Sequence, residues 1–146
     1  MTESNTDAES KDNQLTIRRT FDAPRDRVYQ AFTNPDELEQ WFVPEGMEAA
    51  VHAIEPEPGG DFAVSWTTDE NRIDNEGTFV EVVENERLVT VEEIEVGELR
   101  LSYEFRDVDD GTEVVVTQDF PGPVPDGASE GWAGILDNLK AVLTEP

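Results

Sequence analysis

LTIRRTFDAPRDRVYQAFTNPDELEQWF, residues 15–42, changes its hydrophobic period partway along, and that change decides which fold the rest of the chain must complete. At its start Leu15, Ile17, Arg19 and Phe21 fall on one side of an alternating pattern, as they do in a strand with one inward face. The spacing then turns helical, and Val28, Ala31 and Phe32 come together. Pro24 suits the first turn of that helix, where a missing N–H breaks no hydrogen bond. A second short helix is predicted for NPDELEQWF, residues 34–42: Pro35 opens it, Asp36 and Glu37 favour its positive end, and Leu38, Trp41 and Phe42 share a face. It must stop before Pro44.

From Met47 to Asp119 the pattern is mostly of period two, broken by turn signals at Pro58-Gly59-Gly60, residues 69–75, residues 84–86, Gly97 and Asp109-Asp110-Gly111. This predicts further strands in an antiparallel meander. FAVSW sets Phe62, Val64 and Trp66 on one face, and LRLSYEF does the same for Leu99, Leu101, Tyr103 and Phe105. Strands with one apolar face need cover. The C-terminal segment supplies it, because Trp132, Ile135, Leu136, Leu139, Val142 and Leu143 recur at helical spacing. The expected fold class is α+β, with a curved antiparallel sheet of about seven strands around a long C-terminal helix and two short helices between the first and second strands. Residues 1–14 are polar and lack apolar periodicity, so they are expected to be a disordered acidic leader, with residues 15–146 forming a single domain.

Thirty-five Asp and Glu against ten Lys and Arg give a net charge of −25, spread along the chain rather than gathered in one tail. Acid distributed through patterned, aromatic-containing segments implies a folded protein with a strongly anionic surface, the composition expected of a protein from a salt-loving organism. No basic stripe is available to displace counterions, so neither nucleic acid nor an anionic membrane is an expected partner. With no cysteine, disulfides, thiolate catalysis and cysteine-held metals are excluded. The N-terminal residues lack the basic and apolar segments of a signal peptide, and no apolar run is long enough to span a membrane, so a cytoplasmic location is expected.

One strand, two short helices, a run of strands and a long closing helix is the element order of the helix-grip fold. FDAPRDRVYQAFTNPDELEQWF, the PGG at 58–60 before a strand, EGTFVEVVENERLV at 76–89 and GWAGILDNL at 131–139 resemble START-like (SRPBCC) proteins of the activator of heat shock protein 90 ATPase homologue-like family. The resemblance spans about residues 15–144. It implies a deep cavity between the sheet and the long helix, used across the superfamily for hydrophobic or aromatic ligands. That family takes its name from a co-chaperone domain, and no residue here identifies such a partner.

The parity of the predicted strands and helix nominates an apolar ligand space walled by Ile17, Phe21, Phe62, Val64, Trp66, Phe79, Leu101, Tyr103, Trp132 and Leu136, with Trp41 and Phe42 beside its mouth. Arg19 shares the parity of Ile17 and Phe21, and Glu81 that of Phe79 and Val83, so each is either a polar anchor for a ligand or part of an internal ion pair. The alternative for Glu81 and Arg19 is a bulge that turns them to solvent. Pro58-Gly59-Gly60 lacks both the following helix and the Lys-Ser/Thr of a phosphate-binding loop, and so is a turn. His52 is the only histidine, too few for a metal centre of several imidazoles, and Ser65, Ser102 and Ser129 carry no nucleophile signature. No catalytic residue, metal or cofactor is therefore expected. The function read from these residues is binding or carriage of a small hydrophobic or aromatic molecule by a monomer or weak homodimer. The alternatives are a cyclase or dehydratase type of enzyme, drawing on His52, Tyr103, Glu81 and Arg19, and a co-chaperone-like interaction protein.

Overall fold

The computed structural model describes residues 7–94, 96–109 and 111–144. Strands β1 (Asp7–Lys11) and β2 (Gln14–Phe21) precede helices α1 (Arg25–Thr33) and α2 (Pro35–Trp41). There follow β3 (Glu48–Ile54), β4 (Asp61–Thr67), β5 (Arg72–Val83), β6 (Arg87–Ile94), β7 (Gly97–Val108) and β8 (Gly111–Asp119), then helix α3 (Ala128–Thr144). The described strands form one antiparallel sheet in the order β1-β2-β8-β7-β6-β5-β4-β3. The α+β helix-grip architecture is as the alternation and the helical stripe predict.

Among the described residues the sheet has eight strands, not about seven, because part of the expected leader pairs as a strand. Asp7–Lys11 pairs with β2 through a two-residue turn at Asp12-Asn13, in which Asp12 takes a positive φ of 49°. DAESK carries no apolar stripe; backbone hydrogen bonds to β2 order it, and hydrophobic patterning does not record those. Residues 1–6 of the expected leader lie outside the described residues. With β1 counted, the two short helices fall between the second and third strands.

Along β2, Leu15, Ile17, Arg19 and Phe21 are buried as their alternation requires. Helix α2 starts where it does because Asn34 Oδ1 accepts from the backbone N–H of Asp36 at 2.9 Å and of Glu37 at 3.2 Å, while Pro35 occupies the first turn. The Trp41 indole Nε1 donates to the Ala31 carbonyl at 2.8 Å, tying α2 to α1. Asn138 Nδ2 donates to the Val43 carbonyl at 3.0 Å, tying α3 to the segment just after α2. Trp132, Ile135, Leu136, Leu139 and Val142 turn the apolar stripe of α3 into the core.

Two bulges re-aim strand faces. In β5 the register shifts between Phe79 and Glu81, so Phe79 is buried while Val80 and Glu81 are both exposed. Glu81 therefore does not take the inward position its parity suggested but follows the alternative left open for it, a bulge whose inserted residue reverses that parity. Glu81 instead pairs with Arg87 at 3.1 Å, within a group that also holds Glu104, Arg106 and Glu113. In β3 the register shifts between Val51 and Ala53, and His52 is exposed with Nε2 2.8 Å from Ser65 Oγ.

Candidate functional site

Two adjoining spaces lie between the sheet and the helices. The inner one, about 40 Å³, is enclosed by Phe32, Leu38, Phe42, Ile54, Phe62, Val64, Phe79, Leu88, Thr90, Glu92, Leu101 and Tyr103. The outer one is a mouth of about 240 Å³ under the first half of α3, walled by Phe42, Pro44, Trp66, Asn75, Glu92, Leu99, Leu101, Gln118, Phe120, Ala128, Gly131, Trp132 and Ile135. Phe42, Glu92 and Leu101 belong to both walls. The inner space alone has room for little more than water. The mouth by itself comes near the roughly 300 Å³ at which ligand pockets begin.

Gly77 helps to shape the inner space. A Cβ there would stand 2.7 Å from Cε2 of the Phe62 ring, so only glycine lets that ring lie against β5. The mouth is held open by aromatic side chains whose polar ends are pinned. Trp66 Nε1 donates to the Phe42 carbonyl at 2.7 Å, and Trp132 Nε1 donates to Gln118 Oε1 at 3.0 Å. The Phe42 ring lies 5.3 Å from that of Trp66 and 6.3 Å from that of Trp132, while Trp132 meets Tyr103 edge-on at 6.2 Å. These hydrogen bonds and ring contacts fix rotamers on α3, β4, β7 and β8 at once, so the shape of the mouth is set by the protein's own packing.

Of the residues nominated by parity, Phe42, Phe62, Val64, Trp66, Phe79, Leu101, Tyr103 and Trp132 are brought to these walls. Ile17, Phe21, Trp41 and Leu136 are not: they are closed into the core and line neither space. Arg19 is buried, but against α3 and away from both spaces. Its Nη1 stands 2.7 Å from Asp137 Oδ1 without an aligned hydrogen bond, and its guanidinium carbon lies 5.7 Å from the centre of the Phe21 ring. Arg19, Glu81 and His52 thus line neither space, and Arg19 faces an exposed carboxylate, Asp137, from beneath α3.

Parity reasoning passed over Glu92, the one carboxyl on these walls among the described residues. In RLVTVEEI it shares the face of Leu88 and Thr90, both buried, a signal hidden because Glu92-Glu93 reads as the solvated end of a strand. Burial pushes the Glu92 carboxyl up to about 7 from its ordinary 4.5. Burial, and then the charge of Glu92, push the Tyr103 phenol well above its ordinary 10.0.

The raised Glu92 value has a sign that can be tested. The unfolded chain releases this proton earlier, so the folded state holds an extra proton between about pH 4.5 and 7 and loses stability as pH rises through that window. Glu92→Gln is therefore expected to match the parent below about pH 4.5 and to exceed it by about 1–2 kcal/mol above about pH 7, after discounting for the carboxyl's partial exposure. Urea unfolding of both proteins at about pH 5 and pH 8 checks this. A gap that does not widen with pH would show that the carboxyl is fully hydrated.

Among the described residues no group of three or more His, Asp or Glu is placed to hold a metal ion. No described helix is long and apolar enough to cross a membrane.

Comparison with solved structures gives close backbone matches at low sequence identity. A protein from Rhodobacter sphaeroides aligns with a TM-score of 0.87 at 22% identity, covering 94% of this chain and 97% of its own. One from Chromobacterium violaceum gives 0.84 at 23%, covering 92% and 99%. The AHSA1-like protein from Aeromonas hydrophila gives 0.77 at 25%, covering 88% and 90%. No curated protein matches the chain. The model of the family described as Activator of Hsp90 ATPase homolog 1-like protein matches residues 22–144, which is most of the sequence and takes in the helices, β3 to β8 and every residue of both walls. The chain belongs to the Activator of Hsp90 ATPase homolog 1-like family.

Proposed function

We propose that this protein binds a small hydrophobic or aromatic molecule in the mouth between α3 and the sheet. The observation that carries the reading is the mouth itself: about 240 Å³, walled by Phe42, Trp66, Leu101, Phe120, Trp132 and Ile135 with few polar groups. Sites for small ligands have this make-up, a mostly apolar wall with a few polar groups that fix orientation. The absence of cysteine and the anionic surface suit a cytoplasmic carrier, and self-repulsion favours a monomer or weak homodimer. An enzymatic reading would run through Glu92, whose near-neutral carboxyl suits proton transfer, because His52, Arg19 and Glu81 lie elsewhere.

A neutral probe, 3-phenyl-1-propanol, is expected to change tryptophan emission saturably. Trp66→Phe, which keeps an aromatic wall but loses the bond to the Phe42 carbonyl, is expected to weaken binding by roughly fivefold, equivalent to about 1 kcal/mol. Emission that drifts without saturating, or saturates equally in the variant, would remove the mouth as the binding site.

A further inference from the structure

The polar groups of the mouth are of one kind. Glu92 stands where the mouth meets the inner space, and the other polar side chains there are neutral and partly engaged. Gln118 Oε1 accepts from Trp132, and Asn75 Nδ2 donates to the Val64 carbonyl at 3.2 Å. No Lys, Arg or His is among the described residues of either wall. On β6 the inward side chains grade from Leu88 through Thr90 to Glu92, from closed to half-open, so an apolar body lying against the aromatic wall of the mouth can set its polar head at the carboxylate at the mouth's inner end.

A carboxylate or phosphate head placed there would meet a desolvated acid, with no cation to offset it, inside a chain of net charge −25. An alcohol would be tolerated. A protonated amine would supply the counter-ion that no described residue gives Glu92, and aromatic walls are favourable surroundings for such a cation. We infer that the mouth selects small apolar-bodied amines, with the Glu92 carboxylate receiving the ammonium group, over carboxylates of the same shape. This rests on the ligand-binding reading above and names its substrate class.

The test uses 3-phenylpropylamine, 3-phenyl-1-propanol and 3-phenylpropanoate, followed by tryptophan emission at about pH 8, where the amine is charged and Glu92 ionised, in about 1 M potassium chloride to screen the surface field. The amine is expected to bind about tenfold more tightly than the alcohol, and the carboxylate more weakly than either. Glu92→Gln should weaken the amine by about tenfold and leave the alcohol within about twofold. Glu57→Gln, which removes an exposed acid away from the mouth, should change none of the three. Near-ultraviolet circular dichroism checks that each variant keeps its packing. Equal binding of amine and alcohol overturns the amine assignment and leaves the ligand site standing, as does an amine preference that survives Glu92→Gln. Loss of the alcohol along with the amine in Glu92→Gln reduces the carboxyl to a packing role and overturns it too. Failure of all three probes to bind overturns both the assignment and the site.

Discussion

Replacing Trp41 with alanine is expected to cost about 3–5 kcal/mol of folding stability, a large share of the roughly 5–15 kcal/mol that holds a domain together. Trp41 is fully buried, its ring lies 4.6 Å from that of Phe32 and 5.7 Å from that of Phe42, and its Nε1 donates to Ala31. Alanine would leave a cavity, an unpaired carbonyl and an α2 no longer fastened to α1. Phe42 depends on the same helix end, so the inner wall of the site would loosen as well. Trp41→Phe keeps much of the ring and should lose less than half as much. Urea unfolding in about 1 M potassium chloride measures both. A loss below about 1 kcal/mol for the alanine variant would mean that Trp41 is not the keystone its contacts make it.

Raising potassium chloride from about 0.1 M to 1 M is expected to lift the thermal midpoint by on the order of 10 °C, equivalent to about 3 kcal/mol for a chain of this size. Even if every base paired with one acid, 25 acids would remain without a partner. Several of the ion pairs use surface arginines, and exposed pairs of that kind contribute little. The dominant electrostatic contribution is then repulsion among acids across the surface, which salt screens as the Debye length contracts. Thermal melts across that range, with potassium chloride and then with a neutral osmolyte at matched osmolality, separate screening from general exclusion effects. A midpoint independent of salt would show that the charge is already compensated locally, and the proposal that the protein is adapted to a salt-rich cytoplasm would lose its support.

How far the sequence could be read depended on whether alternation ran unbroken. Phe62, Val64 and Trp66 on β4, and Leu101 and Tyr103 on β7, reached the walls because no residue is inserted within those runs. The stripe of α3 was equally plain from Trp132 to Val142. Glu81 stayed open between an inward and a bulged position because the bulge beside Phe79 adds a residue, and composition alone does not mark a bulge. β1 was missed because its pairing is made by backbone, not by apolar side chains. Trp41 and Phe42, adjacent and alike in sequence, part company at the end of α2: Trp41 closes the helix within the core, while Phe42, at φ −84° and ψ 69°, turns toward the mouth. Ile17, Phe21 and Leu136 were correctly inward but belong to the part of the core that α3 seals, a distinction between lining and filling that parity does not make.

The central claim, a ligand site between α3 and the sheet, is tested most directly by ¹⁵N–¹H correlation spectra recorded as 3-phenyl-1-propanol is added. The predicted result is a set of saturating shifts confined to the indole N–H groups of Trp66 and Trp132 and the amides of Leu101, Phe120 and Gly131, all on the wall of the mouth. Shifts centred instead on Ser10, Leu15 and residues 124–129, which line a separate and more polar hollow of about 250 Å³, or no shifts at all at probe saturation, would contradict it.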